Sequence, residues 1–322
     1  MSEIDGLRPK KVICVTLNTA IDHVVQVDEL AVGTTMRAPA AELVPAGKGV
    51  DVAVGVAALG GHAVATGFIG ERSRELFASL QAEQVESLFI EVPGSTRINV
   101  TILERKLSRE THLQTVGYSI SQADVDRLAV VLERNVTPSD VVVIGGSLPP
   151  GAPDGLTARL VALCRLRGAY VILDSSGAAL LDGLRAGPQM VKPNLLELAQ
   201  IVGRSIDDSD ADVLRAAQEC LSLGVTRVVV SRGYRGIFVI ERAQSWKAWL
   251  DSGHSYPTAS VGSGDAVVAA FALSTLQDRS IEETMRLGVA CGAGNLLTQL
   301  PGRFNADDVA ELLPSAQVQR IS

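Results

Sequence analysis

The chain has 322 residues, of which 47% are hydrophobic and 20% charged, and 36 acidic against 29 basic residues give a formal net charge of −7. This composition excludes a disordered chain, and it argues against a binder of nucleic-acid backbones, which normally has a basic surface. Only 4% of the residues are aromatic, so platforms for base stacking are not expected. An anionic ligand must therefore be held by a few cations placed at a site.

Cysteine usage and hydropathy bear on the compartment. The four cysteines form no CxxC pair, which argues against a zinc knuckle or a disulfide framework and favours buried thiols in a reducing cytosol. The first residues, MSEIDGLRPKKVICVTL, lack the pattern of a signal peptide or an anchor. The longest nearly apolar stretch elsewhere, 266–276, is far shorter than the roughly 18 residues of a membrane span. We therefore expect a cytoplasmic protein without a membrane partner.

Short runs of β-branched residues alternate with stretches of helical spacing along the chain. The predicted strands are 12–17, 63–68, 98–103, 141–145, 170–173, 226–231 and 236–240. The predicted helices are 50–59, 73–84, 122–135, 153–167, 210–223, 265–276 and 281–297. Uniformly apolar strands separated by helices indicate an α/β fold with a doubly wound, mostly parallel sheet that is flanked by helices on both faces.

Two segments break this alternation, at about 22–45 and 95–117. Here the short strands HVVQV, TRINVTI and HLQTV have no helices between them. We expect them to form a small β-sheet lid over the main sheet, because lids exclude water from reactive sites. The alternative is that these strands extend the main sheet.

Several common catalytic motifs are missing from the sequence. The residues around Lys48 depart from a Walker A loop, and neither glycine-rich segment fits the G-x-G-x-x-G fingerprint. There is no G-x-S-x-G elbow and no HExxH motif. The absence of these motifs argues against the common hydrolase and oxidoreductase functions. The histidines show no metal-ligand spacing and are expected to be structural or surface residues: His23, His62, His112 and His254.

The strongest local signal is SVGSGDAV at 260–267, which opens an apolar helix. Gly262, Ser263 and Gly264 let backbone N–H groups converge on an anion at the helix N-terminus. Asp265 lies just inside the turn, where the helix end should keep it ionised and where it can accept a proton from an attacking hydroxyl. Such positioning suits phosphoryl transfer. The alternative is that Asp265 is an ordinary first-turn acid of a helix.

Two further motifs give weaker evidence for a binding site, and each contains a basic residue. In AGKGVDVA, Lys48 lies between Gly47 and Gly49 at the start of another helix and is suited to bind a phosphate. The alternative is a solvated lysine in a surface loop. In TRINV, Arg97 and Asn99 share one face of the predicted lid strand because side chains alternate. The alternative there is an edge strand whose charge prevents aggregation.

Together these segments resemble a PfkB-type carbohydrate kinase of the ribokinase-like superfamily, and in particular its 1-phosphofructokinase and tagatose-6-phosphate kinase branch. The resemblance runs nearly end to end and implies one ribokinase-like kinase domain over residues 1–322. Eight motifs carry it in order: TLNTAID (16–22), AGKGVDVA (46–53), TRINV (96–100), GGSLPPG (145–151), LDSSGAAL (173–180), VKPNLLEL (191–198), VSRGYRG (230–236) and SVGSGDAVVAAF (260–271).

The resemblance implies a role for each matching residue. For catalysis it implies a general base, Asp265, and an anion hole for the transferring phosphoryl group formed by Gly262, Ser263 and Gly264. For the sugar phosphate it implies Asp22, Gly47, Lys48, Gly49, Asp51, Arg97, Asn99 and Ser147. Lys48 and Arg97 would bind the phosphate already on the sugar. For ATP it implies Asn194, Glu197, Ser231, Gly233 and Gly236. Asn194 and Glu197 would position Mg²⁺, largely through water.

The resemblance implies an ATP-dependent hexose-phosphate kinase, and the expected reaction converts fructose 1-phosphate to fructose 1,6-bisphosphate with Mg²⁺ present. It leaves activation by potassium (K⁺) open. The alternatives are tagatose-6-phosphate or 6-phosphofructokinase activity, or a non-catalytic phosphosugar-binding protein on the same fold. A homodimer formed by the lid strands of two subunits is expected, because an exposed β lid otherwise leaves open edges.

The chain departs from the family pattern at Thr19, at 71–74, at Arg232 and, most seriously, at Asp51. Asp51 stands where the family has an asparagine that helps to bind the substrate. An aspartate only accepts hydrogen bonds and adds negative charge, so the sequence predicts weaker binding of ordinary fructose phosphates and altered specificity. Pairing with Lys48 or Arg97, or a position far from the phosphate, would relieve this repulsion. Arg232 replaces an apolar residue and is expected to reach the nucleotide or solvent.

Overall fold

The computed structural model describes residues 9–107, 109–251 and 261–321 of the chain. The strands in chain order are β1 Val12–Thr16, β2 Ala20–Val27, β3 Ala40–Ala46, β4 Ala63–Gly70, β5 Val85–Val92, β6 Arg97–Glu104, β7 Arg109–Leu113, β8 Val141–Gly146, β9 Tyr170–Ser175, β10 Met190–Val191, β11 Arg227–Ser231, β12 Ile237–Glu241, β13 Ser245–Leu250 and β14 Ala316–Arg320. The helices are α1 Lys48–Ala58, α2 Arg74–Ala78, α3 Gln122–Asn135, α4 Leu156–Leu166, α5 Gly177–Leu184, α6 Leu195–Val202, α7 Asp210–Leu221, α8 Ser263–Leu276, α9 Ile281–Gly294 and α10 Ala306–Leu312.

A ten-stranded sheet forms the centre of the structure, in the order β14-β13-β12-β11-β10-β9-β8-β1-β4-β5. The strands from β11 to β5 run parallel, and β12, β13 and β14 add antiparallel pairs at one edge. The central strands β1 and β4 are buried along their whole length, as expected for a parallel sheet that is covered on both faces. The predicted α/β fold with a mostly parallel sheet is therefore confirmed.

Helices cover both faces of this sheet. The apolar sides of α3 to α7 pack on one face, and those of α1, α2, α8 and α9 pack on the other. Helix α8 is apolar on nearly every side because it lies buried between α1 and α9. None of the helices within the described ranges is long and apolar enough to cross a membrane.

The sequence analysis did not predict several elements of this fold. Strand β10 has only two residues, while β5, β13 and β14 lie at or near the sheet edges, where polar residues interrupt the apolar pattern. The helix predicted over 73–84 is wrong as a single element. It consists of α2 and the 3-10 turn Ser79–Glu83, and the segment ends at Gln84 in the left-handed region, with φ of 60°.

A separate four-stranded sheet, called the lid here, contains β3, β2, β6 and β7 in that order. Strand β2 pairs antiparallel with β3 and parallel with β6, and β6 pairs antiparallel with β7. The small separate sheet that was expected from 22–45 and 95–117 is present, and the alternative of an extended main sheet is wrong. The last lid strand, Arg109–Leu113, begins three residues before the predicted segment HLQTV (112–116) and overlaps its first two residues.

The register of the lid separates two faces. Leu43, His23, Val100 and Leu113 lie side by side in one row across the four strands. Asp22 lies opposite Asn99, one residue along from this row, and so belongs to the other face. The lid therefore has one face with exposed apolar side chains and one face with polar groups.

Tyr118 connects the lid to the main sheet, because it follows β7 and is buried beneath the loop after β1. Its hydroxyl accepts a hydrogen bond from the backbone N–H of Thr19 (3.0 Å) and donates to the carbonyl of Phe68 (2.8 Å). Burial raises the pKa of Tyr118 to about 12, so the hydroxyl keeps its proton for this contact. One phenol thus ties the chain between β1 and β2 to the end of β4.

We expect Tyr118→Phe to lower the free energy of unfolding by about 1–3 kcal/mol, because the buried N–H of Thr19 then has no acceptor. Urea denaturation followed by circular dichroism measures the change. Tyr170→Phe is the matched control, since the Tyr170 hydroxyl makes no hydrogen bond within the described part of the chain. Equal stability of the two variants would show that the Tyr118 contacts contribute nothing.

Candidate active site

The carboxyl ends of the parallel strands meet along one edge of the main sheet, and most of the predicted site residues gather there. Ser147 follows β8, and its hydroxyl accepts a hydrogen bond from the Asn18 side chain in the loop after β1 (3.1 Å). Asp174 is the last residue but one of β9, Lys192 follows β10, and Ser231 ends β11. Open α/β sheets bind their ligands at this edge.

Helix α8 begins at the same edge. Its N-cap is Gly262, at φ of 85°, and no side chain caps the helix. The N–H groups of Ser263, Gly264 and Asp265 have no partner within the helix, and the helix dipole adds about half a positive charge there. This is the geometry of an anion site. Ser260, at the start of the predicted motif, lies outside the described residues.

Gly262 is required by a close approach of the backbone. A Cβ atom at this position would lie 2.0 Å from the backbone nitrogen of Gly302. The buried Asn295 amide then fixes the residues on either side, because it donates to the carbonyl of Val261 (2.8 Å) and to the hydroxyl of Ser263 (3.3 Å). The sequence analysis did not identify Asn295, which it placed near the end of the predicted helix 281–297, or Gly302, which lies beyond that helix.

Four charged side chains form a cluster between α1 and α8. Lys48 donates to Asp174 (Nζ–Oδ2 3.0 Å) and to Asp265 (Nζ–Oδ1 3.3 Å). Lys192 lies 3.4 Å from the other oxygen of Asp174. Both Asp174 and Lys192 are almost completely buried, at 1% and 3% exposure. Lys192 Nζ also lies 3.3 Å from the place where a Cβ of Gly264 would be, so it adjoins the start of α8.

These contacts set the ionisation of the cluster. Burial raises the pKa of Asp265 to about 6, with Lys48 opposing and Asp174 adding to the rise. For Lys48, burial favours the neutral amine, but Asp174 and Asp265 outweigh it and raise its pKa. Asp174 is buried as well, yet Lys192 and Lys48 hold its pKa below the ordinary value. At neutral pH, Asp265 is thus an ionised carboxylate that can still take up a proton.

The structure changes the interpretation of Lys48. The alternative of a solvated lysine in a surface loop is wrong, because the amine is bound between two carboxylates. The sequence analysis quoted the motifs LDSSGAAL and VKPNLLEL but gave no role to Asp174 or Lys192 within them. A charged residue directly after a short apolar strand was the available signal. Such a residue lies at the ligand-binding edge of a parallel sheet.

The lid supplies the remaining predicted sugar residues. Asn99 donates to Asp22 Oδ1 (3.0 Å), so the two side chains meet on the polar face of the lid. Arg97 lies on that same face and donates to the carbonyls of Thr19 (3.3 Å) and Asn18 (3.1 Å). Two nitrogens of the guanidinium are thereby used to fix it beside the loop after β1.

Asp51 lies in the first turn of α1, which starts directly after Gly47 and includes Gly49. Asp51 is not relieved by a pairing with Lys48 or Arg97, because Lys48 binds Asp174 and Asp265 while Arg97 binds backbone carbonyls. The nearest cation is Arg303, from the loop before α10, at 3.9 Å.

The predicted nucleotide residues lie together at the ends of β10 and β11. Asn194 and Ser231 form a bridge between these strand ends, and a tight turn follows that includes Gly233 and Gly236, at φ of 58° and 82°. The expectation that Arg232 reaches solvent is wrong. Its buried guanidinium binds Asp208 and Asp210 and lies 4.7 Å from the centre of the Phe238 ring.

Asn194 and Glu197 form a reciprocal cap at the start of α6. The Asn194 side chain accepts from the Glu197 N–H, and Glu197 Oε2 accepts from the Asn194 N–H, each at 2.9 Å. The cap leaves Glu197 Oε1 for other partners. No group of three or more His, Cys, Asp or Glu side chains within the described ranges is arranged to hold a metal. One carboxylate oxygen fits a Mg²⁺ ion that keeps most of its waters and binds phosphates.

Comparisons with known proteins identify what this arrangement resembles. The family model described as pfkB family carbohydrate kinase matches residues 10–303. The chain is 34% identical over 290 residues to the 1-phosphofructokinase of Vibrio cholerae, covering 88% of this chain and 89% of that protein. It is 33% identical over 279 residues to the D-tagatose-1-phosphate kinase of Bacillus licheniformis, covering 86% and 90%.

Solved structures share the fold. The phosphofructokinase-2 from Escherichia coli in complex with potassium matches with a TM-score of 0.88 and 28% identity, over 95% of this chain and 99% of that chain. A ribokinase from Arabidopsis thaliana complexed with ribose and ATP matches with a TM-score of 0.74 and 20% identity, over 95% and 99%. These matches confirm the predicted ribokinase-like fold.

We expect Asp174→Asn to lower the free energy of unfolding by about 3–5 kcal/mol at neutral pH, because Lys192 is left buried without its counterion. The pKa of Asp174 is lowered in the folded protein, so its contribution is present above the ordinary aspartate pKa and is lost as pH falls through the folded value. The difference between the variant and the wild type should therefore shrink in acid. Urea titrations across this pH range measure it.

Asp126→Asn is the matched control, because Asp126 pairs with Arg159 on the exposed surface and its loss should have little effect. An Asp174→Asn protein as stable as the wild type at pH 7 would show that the buried cluster does not stabilise the fold.

Proposed function

The chain belongs to the pfkB family of carbohydrate kinases, and on that premise we propose that it transfers the γ-phosphoryl group of ATP to the C6 hydroxyl of fructose 1-phosphate. A hexose-phosphate kinase activity fits the relatives over most of their length. The observation that carries the proposal is the Asp265 carboxylate at the open N-terminus of α8, near Lys48 at the start of α1 and Lys192 after β10.

Asp265 acts as the general base. The C6 hydroxyl of the sugar gives its proton to Asp265 while its oxygen bonds to the γ-phosphorus, and the bond from that phosphorus to ADP breaks. A carboxylate with a pKa of about 6 is ionised at neutral pH and is still basic enough to receive this proton as the oxygen becomes bonded. Lys48 holds Asp265 in place through its hydrogen bond.

The start of α8 stabilises the transferring group. Its free N–H groups at Ser263, Gly264 and Asp265 face the edge where the phosphates bind, and the helix dipole favours negative charge there. Lys192, which adjoins Gly264, adds a cation that the sequence analysis did not identify. Phosphoryl transfer depends mainly on such positioning and charge stabilisation.

The nucleotide binds at the ends of β10 and β11, next to the turn that holds Gly233 and Gly236. Glu197, with Asn194, would hold the hydrated Mg²⁺ of the ATP complex. When bound, the ion neutralises charge on the β- and γ-phosphates. The capped start of α6 keeps both residues in fixed positions for this contact.

The sugar phosphate binds between the lid and α1. Asp22 and Asn99 present hydrogen-bonding groups for hydroxyls, and Arg97 keeps donors for the phosphate besides those used on carbonyls. The relatives support a phosphate on C1, since their names specify 1-phosphofructokinase and D-tagatose-1-phosphate kinase. Tagatose and fructose differ only at C4, so tagatose 1-phosphate is the second candidate substrate. A cytoplasmic location and activation by potassium remain predictions.

The deciding experiment measures ADP release from ATP with a panel of hexose phosphates. We expect the highest kcat/KM with fructose 1-phosphate and lower values with tagatose 1-phosphate, fructose 6-phosphate and tagatose 6-phosphate. Binding of these sugars without turnover of any would contradict the kinase and favour a phosphosugar sensor. Replacing potassium with sodium in the same assay tests the monovalent cation.

Asp265→Asn should lower kcat by at least about 10²-fold and leave the KM of the sugar phosphate nearly unchanged, because only proton transfer is lost. The wild type should lose kcat/KM as the pH falls through about 6, where Asp265 becomes protonated. Asp307→Asn is the matched control, since Asp307 is also a first-turn acid, at the start of α10. A normal kcat for Asp265→Asn would remove this residue from the mechanism.

The homodimer through the lid also belongs to this proposal. The row formed by Leu43, His23, Val100 and Leu113 lies on the lid face opposite to Asp22. Leu43 and Leu113 are more than half exposed in the single chain. Packing the lids of two subunits face to face would bury this row and leave the sugar site open.

We expect light scattering at micromolar concentration to give the mass of a dimer for the wild type and of a monomer for Leu113→Asp. The matched control is Leu166→Asp, which places the same charge on an exposed leucine of α4, away from the lid. A monomeric wild type, or dimers of both variants, would contradict the lid interface.

A further inference from the structure

Asp51 occupies an unusual environment for a carboxyl group. Its side chain is buried, and Oδ1 has no hydrogen-bond partner among the described residues. The backbone of Gly302 packs directly against it, since a Cβ on Gly302 would lie 2.3 Å from the Asp51 Cβ. The same glycine contacts Gly262 at the start of α8. Asp51 therefore lies close to both the sugar site and the anion site.

The only cation near Asp51 in the described part of the chain is already neutralised. Arg303 donates to both carboxylate oxygens of Glu83, at 3.1 and 3.2 Å, and to the carbonyl of Pro45 at 3.0 Å. Its distance of 3.9 Å to Asp51 is too long for a hydrogen bond. An ionised Asp51 would therefore leave one unbalanced negative charge in a buried place.

Other charged groups around Asp51 increase this imbalance. Asp265 on α8 and Asp22 on β2 both act on it through their negative charges. Lys48, on the same helix, is committed to Asp174 and Asp265. A buried carboxylate that has no free counterion, and whose Oδ1 has no hydrogen-bond donor among the described residues, is unfavourable, whereas a neutral acid is tolerated.

Resting on the proposed function, we propose that Asp51 is a neutral carboxylic acid that donates a hydrogen bond to a hydroxyl of the sugar phosphate, and that the Arg303–Glu83 pair positions it. A protonated carboxyl group has one donor and one acceptor, as the amide of asparagine does. The residue thereby keeps the hydrogen-bonding capacity of the asparagine that it replaces. The negative charge that the sequence analysis expected next to the phosphate is then absent at neutral pH.

The ionisation of Asp51 agrees with this arrangement. Burial is the largest cause that raises its pKa, followed by the negative charge of Asp265, and Asp22 adds to the rise. Arg303 and the backbone of Gly47 oppose it. As the pH rises through the raised pKa of Asp51, the carboxyl group loses the proton that it donates and gains a negative charge beside the substrate. Sugar-phosphate binding should therefore weaken at high pH.

The first test needs no substrate and so does not depend on the proposed reaction. Carboxyl ¹³C NMR of the protein labelled at aspartate, with Asp51→Asn used to assign the signal, follows the titration of Asp51 directly. We expect the Asp51 signal to be that of the protonated acid at neutral pH. A signal that titrates in the ordinary aspartate range, near pH 4, would overturn the proposal.

The second test concerns the positioning pair and uses two substitutions with opposite effects. Arg303→Gln removes the nearby positive charge and should move the Asp51 titration to higher pH. Glu83→Gln frees Arg303 to act on Asp51 and should move it to lower pH. A structural role alone would change stability without these opposite shifts. Titrations that stay in place in both variants would overturn the assignment of Arg303 and Glu83.

The third test measures binding of fructose 1-phosphate against pH by calorimetry. The wild-type Kd should rise by roughly tenfold or more as Asp51 ionises, because the complex then loses the hydrogen bond that Asp51 donates to the sugar. Asp51→Asn should remove this rise, and the exposed Asp126→Asn should keep it. A rise that is the same in Asp51→Asn would overturn the donor role. Failure to bind this sugar at any pH would instead count against the proposed substrate and leave the NMR test decisive.

Discussion

The contact between Lys48 and two buried carboxylates is the interaction on which the rest of the site depends. Lys48 comes from α1, Asp174 from β9 and Asp265 from α8, so one ammonium group fixes three elements that are far apart in sequence. Lys192 completes the balance of charge at β10. Because the cluster is buried, each charge is tolerated only in the presence of the others. The position of the base is therefore set by electrostatics as well as by packing.

The sequence was informative where the local pattern determines the structure. Mostly apolar strands such as VICVT and a nearly apolar helix after Gly262 predict a covered parallel sheet and a helix at this position, and both are present. Short or edge elements such as β10 and β14 were not predicted, because their runs of apolar residues are too short or too often interrupted by polar residues to be recognised as strands. The glycine-rich loops likewise point to Asp265 and Lys48 as candidate site residues.

The contacts of the site were less accessible from sequence. Nothing local to Asp51 indicates that its neighbours are Gly302 and Arg303, which lie some 250 residues further along the chain. The hydrogen bond that Asn295 donates to the Ser263 hydroxyl is likewise a long-range contact. Pairings of this kind depend on how α1, α8 and the loop before α10 are packed together. A motif indicates which residues belong to the site, whereas tertiary packing determines the charge state of each side chain and the group to which it binds.

The topology of the lid has a consequence for how the protein folds. Strand β2 pairs in parallel with β6, and the hydrogen bond between Asp22 and Asn99 spans 77 residues of sequence. The intervening chain contains α1, β4, α2 and β5, of which β4 and β5 belong to the main sheet beside β1. A parallel pair of this kind cannot form as a local hairpin. Assembly of β4 and β5 beside β1 would shorten the open loop between the two halves of the lid, so this topology favours completion of the sugar site late in folding.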